Sequence, residues 1–310
     1  MSQKKYSELS ISVLALKAEG QSYEDLFCEV MVLKDSRFQK IKAHGNTGDM
    51  KNDGYIPELG HYYQVYAPSD ISKTTTINSA VNKLENDFEG LYKKWNHICQ
   101  VRCFSFVIND KSKGIPPQVS QKIQILKSKY KDIEFKIYDF NSLVKDFLEL
   151  DLPCQSTIIG YIPTGEIRTI EYPVLKSTIE NIKNNFENTY VIDESLDFEE
   201  FNNKIQFNNI DNTISELLLN AETQVHILES YFRIHSSKNL RNLIGGILNY
   251  KYETIKEEYG SGDGLSSNLI FYTLLKECCI DNTLESKNAS LVLLSFYFVS
   301  CDIFEKPSKL

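Results

Sequence analysis

The sequence predicts an α/β first half, residues 1–150, and an all-helical second half, residues 206–310, joined by a less regular stretch over 151–205. Three observations predict this. Up to Leu150, segments with apolar residues at helical spacing alternate with short aromatic and β-branched runs. After Ile210 the strand-like runs stop and helical patterns follow one another. Clusters of Gly, Asn, Asp and Pro fall between the segments, where turns belong.

Taken in order, Ser22–Lys34 places Tyr23, Leu26, Phe27, Val30 and Leu33 on one helical face. Ser22 suits the N-cap, with Glu24 and Asp25 in the first turn, where a helix favours negative charge. Phe38–Ala43 alternates and reads as a short strand. Gly45–Gly54 is rich in Gly, Asn and Asp and reads as a turn. GHYYQVYA, Gly60–Ala67, reads as a strand that Pro68 ends. Thr76–Trp95 carries Ile77, Ala80, Val81, Leu84, Phe88 and Leu91 on one face of a long helix. Val101–Ile108 is nearly all apolar, as a strand buried on both faces should be. Pro116–Tyr130 is a second helix, Ile133–Tyr138 another strand, and Ser142–Leu150 a third helix. Helices separated by strands imply layers around one sheet.

Between the halves, Cys154–Ile170 has room for one or two strands, and Asp193–Glu200 (DESLDFEE) is an acidic, solvated run. From Ile214 onward, HILESYFRIH, LRNLIGGILNYKYETI, NLIFYTLLKECC and ASLVLLSFYFVSCDIF predict a bundle of four or five helices, with a loop at Gly260–Gly264.

Composition bounds the function. At 310 residues, 42% hydrophobic and 25% charged, this is an ordinary globular composition with room for two domains. No apolar run is long enough to span a membrane, and MSQKKYSELS lacks the apolar core of a signal peptide. Seven scattered cysteines with no C-x-x-C pair argue against a disulfide framework or a zinc site, and fit a reducing cytoplasm. Net charge is −8, too acidic to hold nucleic acid by bulk electrostatics. The charge is uneven, however. Residues 1–150 carry 21 Lys and Arg against 19 Asp and Glu, which leaves 13 of the 34 cations and 23 of the 42 acids for the rest. The first half can approach a phosphate backbone, and the second half suits a protein partner better.

The stretch Gly45–Pro68 (GNTGDMKNDGYIPELGHYYQVYAP) is the most informative. It sets Asp49 and Asp53 in a turn and Gln64 in the strand that follows. A polar Gln64 between Tyr63 and Val65 is costly if buried without a partner. A turn carboxylate beside a polar strand residue makes a workable Mg2+ or Mn2+ site, because magnesium takes oxygen ligands and keeps several waters. The same residues equally suit a hairpin whose Asn and Asp only satisfy turn backbone.

Here the sequence resembles a family. G-x-x-Y-E-D-L-F at Gly20–Phe27, Asp53-Gly54 and Q-x-Y at Gln64–Tyr66 look like the Mrr-type restriction-endonuclease-like fold. Active members of that fold carry a helix Glu, an Asp and then (D/E/Q)-x-K. The resemblance implies Glu24 as the helix acid, Asp53 as the metal-binding Asp and Gln64 as the strand ligand. Tyr66 stands where the catalytic Lys is expected, and a phenol is neutral at pH 7. Lys51, Lys73 and Lys83 are the nearby candidates to replace it. GDMKNDGY, YYQVYAP, KLENDFEG and LSFYFVSCDIFEKP resemble proteins of bacterial ABC-three-component systems, similar to the Lamassu-type antiphage systems. That resemblance implies phage defence, DNA as the sensed or cut molecule, an SMC/ABC-type ATPase partner and a small third subunit.

Three readings follow: a metal-dependent DNA nuclease, a catalytically silent nuclease-like module that binds DNA or scaffolds the ATPase complex, or an adaptor working through the helical half. The apolar runs SYFRIH, LIFYTLL and LVLLSFYF exceed what a small bundle needs, so the helical half is expected to dock the partner or a second copy. Lys111 and Lys113 suit either DNA backbone or a solvated loop. His44, His97, His226 and His235 read as structural or surface residues, and CDIFEKP as packing for the last helix. GSGDG lacks the Lys-Ser/Thr of a phosphate-binding loop.

Overall fold

The computed structural model of the chain describes residues 3–42, 51–160, 162, 170–184, 201–234, 238–259, 264–300 and 303–307. The chain divides into two units, residues 14–158 and residues 1–13 with 159–310. The division falls inside α1 (Gln3–Lys17), a helix that the apolar spacing did not single out.

The first unit is mixed α/β. Its elements are α2 (Gly20–Lys34), β1 (Gln39–Lys40), β2 (Gly54–Ile56), β3 (His61–Tyr66), α3 (Thr74–Trp95), β4 (Cys103–Ile108), α4 (Pro117–Lys129), β5 (Glu134–Tyr138), α5 (Phe140–Leu148) and α6 (Leu152–Ile159). The five strands lie in the order β1-β2-β3-β4-β5. β1–β2–β3 is an antiparallel meander, while β3–β4 and β4–β5 are parallel. Parallel neighbours need crossovers, which α3 and α4 supply. Both helices bury their stripes on one face: Ala80, Leu84, Phe88 and Leu91 from α3, with Val119, Ile123 and Leu126 from α4, pack on Tyr62, Phe104, Phe106, Ile108 and Phe135. α2 covers the other face, where Phe27 meets Phe38, Tyr63 and Tyr138. β4 is buried along its whole length, as its apolar run requires.

Several local details differ from the sequence expectation. The N-cap of α2 is Glu19, and Ser22 closes the capping box from N3, accepting the Glu19 N–H at 2.9 Å. β1 is two residues long, and the part of the expected turn at Gly45–Met50 lies outside the described residues with His44 and Asp49. β2 forms where the sequence shows no strand pattern, because its pairing with β3 decides it. Glycine is required at its start: a Cβ on Gly54 would sit 2.3 Å from Phe38 Cζ. Where the sequence left room for a strand from Cys154, the chain is helical in α6; residues 163–169 and the acidic run 193–200 lie outside the described residues.

The second unit is helical in its described elements: α7 (Tyr172–Asn184), α8 (Phe201–Phe207), α9 (Asn212–Glu222), α10 (Val225–Ile234), α11 (Lys238–Tyr259), α12 (Gly264–Cys278) and α13 (Leu284–Val299). α13 is the central helix, buried continuously from Ser286 to Phe298. A helix apolar all round belongs inside. This corrects most of the expectation of surplus apolar surface: Leu291–Phe298, Leu269–Leu275 and Tyr231–Phe232 are buried, while Ile234 stays exposed. Lys204 of α8 is also buried and donates to Phe298 O and Ile303 O, both at 2.7 Å, fastening the segment after α13. Ile303 and Phe304 pack inward, while Glu305 pairs with Lys256 and accepts from Tyr252 Oη. Gly260–Asp263, Cys301, Asp302 and His235 lie outside the described residues.

Candidate functional site

Asp53 sits one residue before β2 and extends its ladder, its N–H donating to Tyr63 O at 2.9 Å. Its carboxylate then turns to β3. Oδ2 accepts from the Val65 N–H and from Gln64 Nε2, each at 2.6 Å. Asp53 is 5% exposed and Gln64 2%. The expected acid–amide pair therefore meets, on the buried side of the hairpin. Two features go beyond a plain backbone cap. Gln64 Oε1 is buried with no partner, and so are both side-chain polar atoms of Asn52, which is fully buried. Buried polar atoms are rarely left unmet, and orphans mark a place for water, an ion or a ligand.

The same unit holds a cluster the sequence reading missed. Asp87 of α3 is buried, and its two oxygens accept from Lys51 Nζ at 2.8 Å and Lys83 Nζ at 2.7 Å. The lysines are 46% and 34% exposed, so two partly exposed ammonium groups meet one sunken carboxylate. Lys51 holds φ 71°, and its Cγ lies 3.0 Å from where a Cβ on Gly90 would stand, so the bare Gly90 lets its stem cross α3. The signal for Asp87 was present: it falls three residues after Leu84 and four before Leu91, an acid on an apolar stripe.

The other expected site residues have hydrogen-bond or ion-pair partners outside this pair. Tyr66 shares Gln64's face of β3, stacks on Phe106 and donates to Thr76 O at 3.2 Å; burial pushes its phenol up, so it stays neutral. Glu24 lies on α2, which packs against the opposite face of the sheet. It accepts from Gln21 Nε2 at 2.9 Å and is bonded to neither Asp53 nor Gln64. Lys73 lies 3.9 Å from Asp70. Lys111 closes the end of α1, donating to the carbonyls of Leu16 and Ala18, and Lys113 lies 3.7 Å from Asp70. His226 is exposed and bonded to Thr223 O at 3.0 Å.

A second polar group lines the α2 face. His61 Nε2 lies 2.8 Å from Ser105 Oγ, and Tyr63 Oη lies 3.1 Å from its Nδ1. Burial first, then the charge of Lys136, hold the imidazole down at about 4, against the opposing pull of Glu134. It is a neutral ring locked in a hydrogen-bonded network.

Among the described residues no three His, Cys, Asp or Glu side chains gather as metal ligands, and no helix is long and apolar enough to cross a membrane. Fold and site thus define a two-unit protein: a mixed α/β unit that holds a buried acid–amide pair and a lysine-flanked carboxylate, and a helical unit. Residues 175–305 match the family of C-terminal domain 10 of the ABC-three component (ABC-3C) systems. The match covers the helical part and supports a place for this chain in such a multi-subunit system. No curated protein and no solved structure matches the chain.

Proposed function

We propose that this chain is the nuclease-like effector of an ABC-three-component antiphage system. On this reading it hydrolyses DNA phosphodiesters with a divalent metal, under control of an SMC/ABC-type ATPase partner. The observation that carries the reading is the buried Asp53–Gln64 pair, in which Gln64 Oε1 has no hydrogen-bond partner. The donor set fits Mg2+ or Mn2+: the Asp53 carboxylate and Gln64 Oε1 are both oxygens, and such ions need only a few protein ligands beside water. When bound, such an ion lowers the pKa of water and stabilises charge on a leaving oxygen.

The chain's own residues take the remaining roles. Gln64 and the Val65 N–H fix the Asp53 carboxylate in one orientation. Lys51 and Lys83, set by Asp87, supply positive charge in place of the Lys absent at Tyr66. The helical unit, whose residues 175–305 match an ABC-three-component C-terminal domain, is the part we propose to meet the partner. A catalytically silent, DNA-binding or scaffolding module is the second reading, favoured by Tyr66 lying packed on Phe106 with its hydroxyl committed to Thr76 O. Incubation of linear DNA with Mg2+ or Mn2+, with and without the purified ATPase, decides between them. Cleavage that Asp53→Asn abolishes supports the nuclease. DNA or ATPase binding without cleavage under every condition supports the silent module.

A further inference from the structure

The outer edge of β5 carries an inference that goes beyond the nuclease reading and stands without it. β5 closes the sheet, with β4 on one side and no strand on the other among the described residues. The Glu134 N–H donates to Arg102 O on the β4 side at 2.9 Å. Alternate residues of a parallel ladder turn to the same neighbour. Glu134, Lys136 and Tyr138 therefore face β4, and Phe135 and Ile137 turn N–H and C=O to the open edge. Such an edge is a template for another strand unless something blunts it.

A lone edge lysine is a common device of that kind, since two copies then repel. Here Lys136 is accompanied by Glu134 on the same side of the strand, 3.0 Å away, and the two are 48% and 60% exposed. The edge is thereby neutral and self-complementary. We propose that two copies of this chain pair through β5, antiparallel and centred on Phe135, with Glu134 of each copy opposite Lys136 of the other. In that register the two Phe135 residues exchange both backbone hydrogen bonds. The flanking Glu134–Lys136 pairs become the non-hydrogen-bonded positions, where side chains stand closest. Ile133 comes opposite Ile137 on the inner face. Moving the centre to Ile137 sets Lys136 against Tyr138 and Glu134 against Phe140, and both charge pairs are lost. The contact is two-fold and closed, so it ends at a dimer and joins two five-strand sheets into one.

The test is the solution mass of the full chain by light scattering at micromolar concentration, for the wild type, E134K, K136E and the double swap E134K/K136E. Both side chains are exposed, so the variants leave the core alone, and circular dichroism checks that they fold. The wild type is expected to be a dimer. Each single variant sets like charges opposite each other twice and weakens dimerisation by about tenfold or more. The double swap restores it, and an equimolar mixture of the two single variants forms a mixed dimer, because every facing pair is again opposite in sign. Hydrogen exchange at the Phe135 and Ile137 amides is slow in the dimers and fast in the single variants. A monomeric wild type, single variants as dimeric as the wild type, or a mixture that stays monomeric overturns the proposal. So does an edge that becomes protected only when another protein is added. None of these readings involves cleavage, so a failed nuclease assay leaves the proposal standing.

Discussion

Gln64 Nε2 donates to Asp53 Oδ2 at 2.6 Å across the β2–β3 hairpin, and the same oxygen takes the Val65 N–H. One carboxylate thus does two jobs: it replaces a backbone acceptor where β2 has not yet begun, and it aligns the side chain that shares its pocket.

This dual role predicts a split between two substitutions. Asp53→Asn keeps an oxygen that can accept both bonds, so urea unfolding is expected to show a loss of about 1 kcal/mol. Asp53→Ala leaves the Gln64 amide and the Val65 N–H buried without an acceptor and is expected to cost about 2–4 kcal/mol. Equal losses for the two variants would show that the bonds do not matter to the fold. Because Asp53→Asn keeps the fold, it is also the variant for the cleavage assay.

The Lys51–Asp87–Lys83 cluster predicts non-additivity. Lys51→Ala or Lys83→Ala removes one half-exposed ammonium and leaves Asp87 the other, so each is expected to cost about 0.5 kcal/mol. The double variant strands a buried carboxylate with no cation and is expected to cost about 3 kcal/mol, well beyond the sum. A double-mutant cycle by chemical denaturation checks this, and simple additivity would count against Asp87 being held by both lysines.

His61 predicts an acid limb. Its imidazole is held at about 4, below the unfolded value of about 6.5, so between these pH values the unfolded chain binds a proton that the folded chain does not. The stability it contributes is present above about 6.5 and is lost as pH falls toward about 4, by at most about 1.4 kcal/mol per pH unit. His61→Gln removes this limb while carboxylates still titrate below it. Stability measured from pH 7 to pH 4 should fall less steeply in the variant, and parallel curves would refute the assignment.

Lys204 predicts a large loss from one buried cation. Its ammonium meets Phe298 O and Ile303 O and lies 4.8 Å over the Phe298 ring. Lys204→Met keeps the stem but leaves both carbonyls without that donor. A loss of about 3 kcal/mol is expected, with the segment after α13 exchanging its amides faster. A thermal midpoint equal to the wild type's would mean that the ammonium's desolvation cancels its bonds.

The sequence by itself determined the alternation of elements. Apolar spacing located α2, α3, α4 and β3 to within a few residues, and the apolar run Val101–Ile108 located β4 at the centre of the sheet. It also singled out Asp53 and Gln64, because an unmasked polar residue inside a strand pattern is costly wherever it ends up. It could not decide which residues would meet. Glu24 and Gln64 look alike as candidates, yet α2 packs on one face of the sheet and Gln64 looks to the other. Asp87 is an acid on an apolar stripe until Lys51 arrives across Gly90 from another element. β2 has no strand pattern of its own and exists because β3 pairs with it. α13 read as surplus apolar surface, and in the bundle it is the interior. Periodicity is a local property of the chain, set by how a helix or strand turns its side chains. Pairing, facing and burial depend on contacts between residues far apart in sequence, and only the tertiary structure fixes those.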